Sequence, residues 1–132
     1  MSYSMWAQRF RPESDRELSR EAFRTIFGPH IQLEEPEFHF FRIVPSDGQE
    51  SDLYANLVEP FESVMVNHFS VGAFLDLFVE FARQCDAVIY TQDGAAILTH
   101  PDQRAFLPSE LQHQVFLASN GAELESAIAR IR

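Results

Sequence analysis

Residues 71–100 read VGAFLDLFVEFARQCDAVIYTQDGAAILTH, and the fold turns on this stretch. In its first half Val71, Phe74, Leu75, Phe78, Phe81, Ala82 and Cys85 recur at helical spacing. Asp76, Glu80, Arg83 and Gln84 fall on the opposite side, so the spacing predicts a helix over 71–85 with Ser70 as its N-cap. The second half holds two apolar alternating runs, 87–92 and 95–100, joined by Asp93-Gly94, a pair that favours a two-residue hairpin. That turn would pair Tyr90 with Ile97, Ile89 with Leu98 and Val88 with Thr99. Three phenylalanines on one helix need a sheet or further helices to pack on, so helix and strands share a core.

The hairpin also carries Tyr90, Asp93, Thr99, His100 and Asp102, residue types that could make a catalytic cluster. Spacing argues against one. At roughly 3.3 Å per residue, Asp93 at the turn and His100 at the far end lie about 15 Å apart, too far to share a proton. Thr99 and His100 are neighbours on one strand and face opposite sides. No catalytic residue is expected here.

Working outward, the first dozen residues read as a loosely held arm. SDRE at 14–17 has the form of a capping box, Ser14 with Glu17, opening a helix whose stripe is Leu18, Ala22, Phe23, Ile26 and Phe27 and which Gly28-Pro29 ends. EFHFFRIV (37–44), bounded by Pro36 and PSDG, reads as a strand with Phe38, Phe40 and Phe41 on both faces. Such a strand is either buried on both sides or offers an exposed aromatic surface. Between 51 and 69, SDLYANLVEP fits a helical turn or two as well as a strand, whereas ESVMVNHF, with Val64 and Val66, is read as a strand. After the hairpin, HPDQRAFLPSELQHQ reads as a loop with room for a helical turn, and VFLAS (115–119) as a short strand. NGAELESAIARIR is a closing helix with an Asn120 cap, Glu123 at the third helical position, and a seam of Leu124, Ala127, Ile128 and Ile131. The expected order is α-β-β-α-β-β-β-α. It describes one α+β domain over 1–132, a mostly antiparallel sheet with helices on one face.

With 132 residues, 45% of them hydrophobic, the chain can bury a core without staples. No apolar run is long enough to span a bilayer, and the N-terminus lacks the basic start and apolar stretch of a secretory signal. The single cysteine, Cys85, makes no internal disulfide, which fits a cytoplasmic protein. It falls near a helix C-terminus, where a thiolate is disfavoured, so it is expected in the core.

Charge is the most informative bulk property. The net charge is −10, and all ten basic residues are arginine. Residues 1–32 carry a net +1, residues 33–110 a net −11, and the last 22 residues balance. Such a field repels phosphate backbones and anionic lipid, so neither nucleic acid nor membrane is expected as a partner. A basic protein is. Glu34, Glu35, Asp47, Glu50, Asp52, Asp76 and Glu80, in loops or on a helix's polar face, are the expected contributors. Tyr54 and Phe61, flanked by acidic residues, are the candidate anchors.

No metal or cofactor is expected. The five histidines lack i, i+4 spacing, no second cysteine completes a zinc site, and the five glycines are isolated. No Gly-x-Ser-x-Gly elbow is present, and the Asp76/Glu80 carboxylates lie on an exposed helix face rather than in an apolar cleft.

The acidic middle, LEEPEF, DGQESD and EPFES, and the capped helix leading into DAVIYTQDGAAIL resemble bacterial toxin-immunity proteins as a class. The resemblance implies a small cytoplasmic inhibitor that neutralises a cognate toxin domain by stoichiometric binding; it transfers no particular residue. Two other classes stay open: a secretion chaperone holding an extended effector segment, and a small enzyme without a recognisable motif.

Overall fold

A computed structural model describes residues 3–12, 16–58 and 60–131. The strands are β1 (Met5–Gln8), β2 (Ile31–Glu35), β3 (Phe40–Ile43), β4 (Ser51–Ala55), β5 (Ser63–Asn67), β6 (Val88–Thr91), β7 (Ala96–Leu98) and β8 (Val115–Leu117). The helices are α1 (Arg20–Phe27), α2 (Ala73–Gln84) and α3 (Gly121–Ile131). All eight strands form one sheet in the order β2-β3-β4-β5-β1-β6-β7-β8. Every neighbouring pair is antiparallel except β7 and β8. The α+β class and the mostly antiparallel sheet are therefore as expected.

The first correction concerns the N-terminus. Residues 5–8 are not a loose arm but a strand between β5 and β6, joining the β2–β5 meander to the β6–β8 half. Met5 and Ala7 are fully buried, which explains the anchoring: alternate side chains of a four-residue strand enter the core. Strands β2 and β4 also went unread, the first as connecting chain and the second as an ambiguous segment.

One face of the sheet carries the helices. Residues Met5, Ala7, Phe41, Ile43, Leu53, Val64, Val66, Ile89 and Ile97 form a single apolar cluster with the buried stripes of α1, α2 and α3. Phe23 is its hub, with ring centroids 5.1 Å from Phe27, 5.1 Å from Phe41, 6.0 Å from Phe61 and 5.9 Å from Phe81. Helix α1 starts later than the SDRE pattern predicts. Ser19 is its N-cap and accepts from the Ala22 amide at 2.9 Å. Ser14, the proposed capping residue, lies outside the described residues.

Helix α2 spans less than the predicted 71–85, and Val71, read as part of its stripe, is 53% exposed. Its N-cap is Gly72, not Ser70; lacking a side chain, it leaves the capping to Asp47, which accepts from the Ala73 amide at 3.1 Å. The helix ends in a Schellman turn, with Ala87 N–H donating to Ala82 O (2.8 Å) and Asp86 N–H to Arg83 O (3.2 Å). Asp86 occupies the left-handed position, φ 56°, usually taken by glycine.

The hairpin exists, in a different register. Thr91 N–H donates to Ala95 O at 3.0 Å, so the loop is the three residues 92–94, with Gly94 at φ 84°. Tyr90 consequently faces Ala96, and Ile89 faces Ile97. A slip of one residue exchanges faces, so Ile97 points into the helix-covered core and Leu98 away from it. Helix α3 is capped as expected: Asn120 accepts from the Glu123 amide at 2.9 Å.

Candidate functional site

The sheet's other face is only half covered. Between β7 and β8 the chain crosses it in two 3-10 segments, Pro101–Phe106 and Ser109–Leu111. Leu107 and Leu111 from this crossover pack on Val88, Ala96 and Leu98. A polar network pins the crossover. Gln103 is 3% exposed, accepts from the Thr99 and His100 amides at 2.9 and 3.1 Å, and donates to Asp86 at 2.9 Å. Arg11 closes it, 2.6 Å from Asp86 and 3.3 Å from Asp102. Burial alone would raise the Asp86 carboxyl, but hydrogen bonds from Arg11 and Gln103 and the charges of Arg11 and Arg9 outweigh it and lower its pKa. The hydrogen bond to Asp86 in turn raises that of Arg11.

Over β3, β4, β5 and β1 no element covers the face among the described residues. Strand alternation sends Phe40, Tyr54, Met65 and Trp6 to this side, and register lines them up. Phe40 pairs with Tyr54, Tyr54 with Met65, Met65 with Trp6, and Trp6 with Tyr90. The result is one continuous row across five strands. Trp6 stacks on Tyr90 at 5.2 Å and 12°, and Phe40 lies 5.3 Å from Tyr54. Burial raises the Tyr90 phenol, whose hydroxyl donates to Gln8 at 3.0 Å. One residue pair along the strands, Arg42, Asp52 and Asn67 form a parallel polar row, with Arg42 3.8 Å and His68 3.6 Å from Asp52.

Two loops raise the rim. Pro36–Phe38 is a 3-10 turn ending at His39, held at φ 54°, and it leaves Phe38 65% exposed. On the other side Asn56 accepts from the Val58 amide at 3.1 Å, and Pro60 and Glu62 line the rim. Between them lies an open dish of about 510 Å³. Trp6, Tyr54, Phe38 and Met65 give it an aromatic and thioether surface, and His39, Asn56, Ser63 and Glu62 add polar groups.

The expected partner-binding residues scatter. Tyr54 lines the dish, and Glu35 stands opposite Phe40 at its edge. Phe61, expected as an anchor, is fully buried against Phe23 and Phe81, so it belongs to the core. Asp47 caps α2, and Asp76 accepts from the Gly121 amide at 2.8 Å, capping α3 from a neighbouring helix. Glu34 holds Arg24 through two oxygens at 3.1 and 3.2 Å. Glu50 sits 3.7 Å from Arg42, and Glu80 accepts from Gln84 at 2.8 Å beside Arg83. Most of these carboxylates serve the fold or sit beside an arginine.

Asp93 and His100 have separate partners: Asp93 accepts from Tyr3 at 2.8 Å, and a His100 ring nitrogen is 3.5 Å from Arg83 O. Cys85 is buried, with its thiol pKa raised by that burial. Among the described residues no three potential metal ligands gather, and no helix is long and apolar enough to cross a membrane.

Sequence reasoning missed Trp6, His39 and Met65 as dish residues. It named Phe38 as a possible exposed aromatic but set it in a strand, whereas Phe38 is exposed in a 3-10 turn and Phe40 and Phe41 of the strand are buried. The alternation in MWAQ and SVMVN was the available signal, but treating residues 1–12 as an arm removed Trp6 from the sheet. Comparison with protein-family models, curated proteins and solved structures finds no match to this chain.

Proposed function

We propose that the chain is a cytoplasmic bacterial binding protein of the immunity type, neutralising a basic toxin domain by stoichiometric association through its uncovered sheet face. The aromatic row Phe40–Tyr54–Met65–Trp6–Tyr90 carries this reading. Its ends are held by burial of Phe40 and by Phe10 on Tyr90, while Tyr54, Met65 and Trp6 between them stay partly exposed, large side chains of the kind expected at an interface centre. The net charge of −10 supplies the complementary field that steers a basic partner to it.

The chaperone reading depends on a free strand edge accepting an extended segment. Edge strand β2 has a register shift between Ile31 and Leu33, two glutamates, and Pro36 immediately after it. These are features that block strand addition, and the other edge, β8, offers only the three residues Val115–Leu117, so the face is favoured over either edge. The test is co-expression with the basic protein encoded by the adjacent open reading frame. A one-to-one complex that relieves growth arrest supports the proposal; growth arrest unrelieved, with no complex, overturns it.

A further inference from the structure

We infer that the dish is an arginine receptor: it takes a guanidinium side chain of the basic partner between Trp6 and Tyr54, facing Glu62. The inference rests on the sheet-face reading above and names the chemistry at its centre.

Cation–π pairs elsewhere in the molecule provide the first support. Arg11 lies 5.1 Å over Phe106, Arg24 5.7 Å over Phe41, Arg42 5.7 Å over Phe40, and Arg130 5.2 Å over Phe116. Among the described residues no arginine lies over Trp6, Tyr54 or Phe38, and none lines the dish. Indole is the strongest of the ring acceptors for a cation.

Unspent charge is the second. Elsewhere in the acidic segment Glu34, Asp47, Glu50, Asp52, Asp76, Glu80 and Asp86 each face an internal donor or cation. Glu62 lines the dish, while Glu35 and Glu37 flank the Pro36 turn at its rim. These three, like Glu110 away from the dish, form no ion pair among the described residues. Carboxylates and open aromatic groups coincide at one place.

Geometry is the third. Tyr54 and Trp6 stand on either side of Met65, one strand away in each direction. Their backbones are thus separated by two strand spacings, about 9–10 Å, with Met65 on the strand between, so a planar group would rest over Met65 with a ring on either side. Guanidinium is planar, weakly hydrated and stacks on aromatic faces, whereas ammonium is compact and strongly hydrated. The thioether of Met65 adds a polarizable floor.

Trp6 is the protein's single tryptophan, so its indole N–H gives one isolated signal in a nitrogen-correlated NMR spectrum. The full chain is titrated with a short arginine–glycine repeat peptide, and with lysine and citrulline counterparts. The arginine peptide should move the indole signal saturably, the lysine peptide should bind several-fold more weakly, and citrulline should leave it in place. Glu62→Gln, at an exposed position, should weaken arginine binding about fivefold, the size of one partly exposed charge pair. An unmoved signal, or equal shifts from arginine and citrulline, overturns the site; equal lysine affinity overturns the guanidinium assignment. The sheet-face reading fails separately, if a Met65→Arg protein, which sets a like charge in the middle of the row, still binds the toxin.

Discussion

At the scale of single residues, Asp86 shows how one side chain serves several ends. It fills the left-handed position after α2, pairs with Arg11, and accepts from the buried Gln103. Asparagine tolerates the same backbone, so Asp86→Asn removes charge without adding strain. At neutral pH the variant should lose about 1–2 kcal/mol, since hydrogen bonds to charged groups exceed neutral ones. The folded carboxyl has a pKa lowered below its unfolded value of about 3.9. Its contribution is therefore complete above about pH 4 and disappears as pH falls through the folded value. Urea melts of both proteins at pH 7 and pH 3 should show a gap that narrows in acid; a gap unchanged by pH contradicts the role given to the charge. None of this was legible in the sequence. Asp86 reads as the start of a hairpin, and its partners Arg11 and Gln103 are remote along the chain.

At the scale of elements, two glycines separate two kinds of constraint. Gly94 closes the three-residue hairpin loop at φ 84°, with no atom nearer than 3.8 Å to a built Cβ, so Gly94→Ala should cost about 1 kcal/mol of backbone strain. Gly121 opens α3 against α2, where a Cβ would come within 2.6 Å of the Asp76 backbone nitrogen. Gly121→Ala must push two helices apart and should cost more, about 1–3 kcal/mol. Denaturant midpoints rank the pair, and equal losses would contradict the close approach. The amphipathic helices and the Asp-Gly hairpin were legible because their periodicity is local. The hairpin register was not, because a turn pair suits both two- and three-residue loops and only the core selects between them. Strand β4 hid because its core-facing side is Ser51, Leu53 and Ala55, with one large apolar residue among three. Strand β2 hid because it is an edge whose middle residues are exposed.

At the scale of the whole molecule, coverage of the sheet decides where binding can occur. Three helices cover one face, and the 101–111 crossover covers part of the other. Acidic composition motivates the proposal of a basic partner, but composition cannot say which carboxylates cap helices and which stay unspent. The candidate row also draws on residues from 6 to 90, a juxtaposition set by the insertion of β1 between β5 and β6. Association with a basic partner should slow as salt rises, while dissociation changes less, because long-range charge acts mainly on encounter.

The most direct measurement compares two substitutions in binding kinetics with the proposed toxin partner. Met65→Arg alters the middle of the aromatic row, and Glu80→Gln alters the polar side of α2. Loss of a central interface residue should raise the dissociation rate at least tenfold, whereas a remote charge should change it by less than about twofold. A toxin complex that tolerates Met65→Arg but dissociates on Glu80→Gln would place the interface on the helices and contradict the sheet-face account.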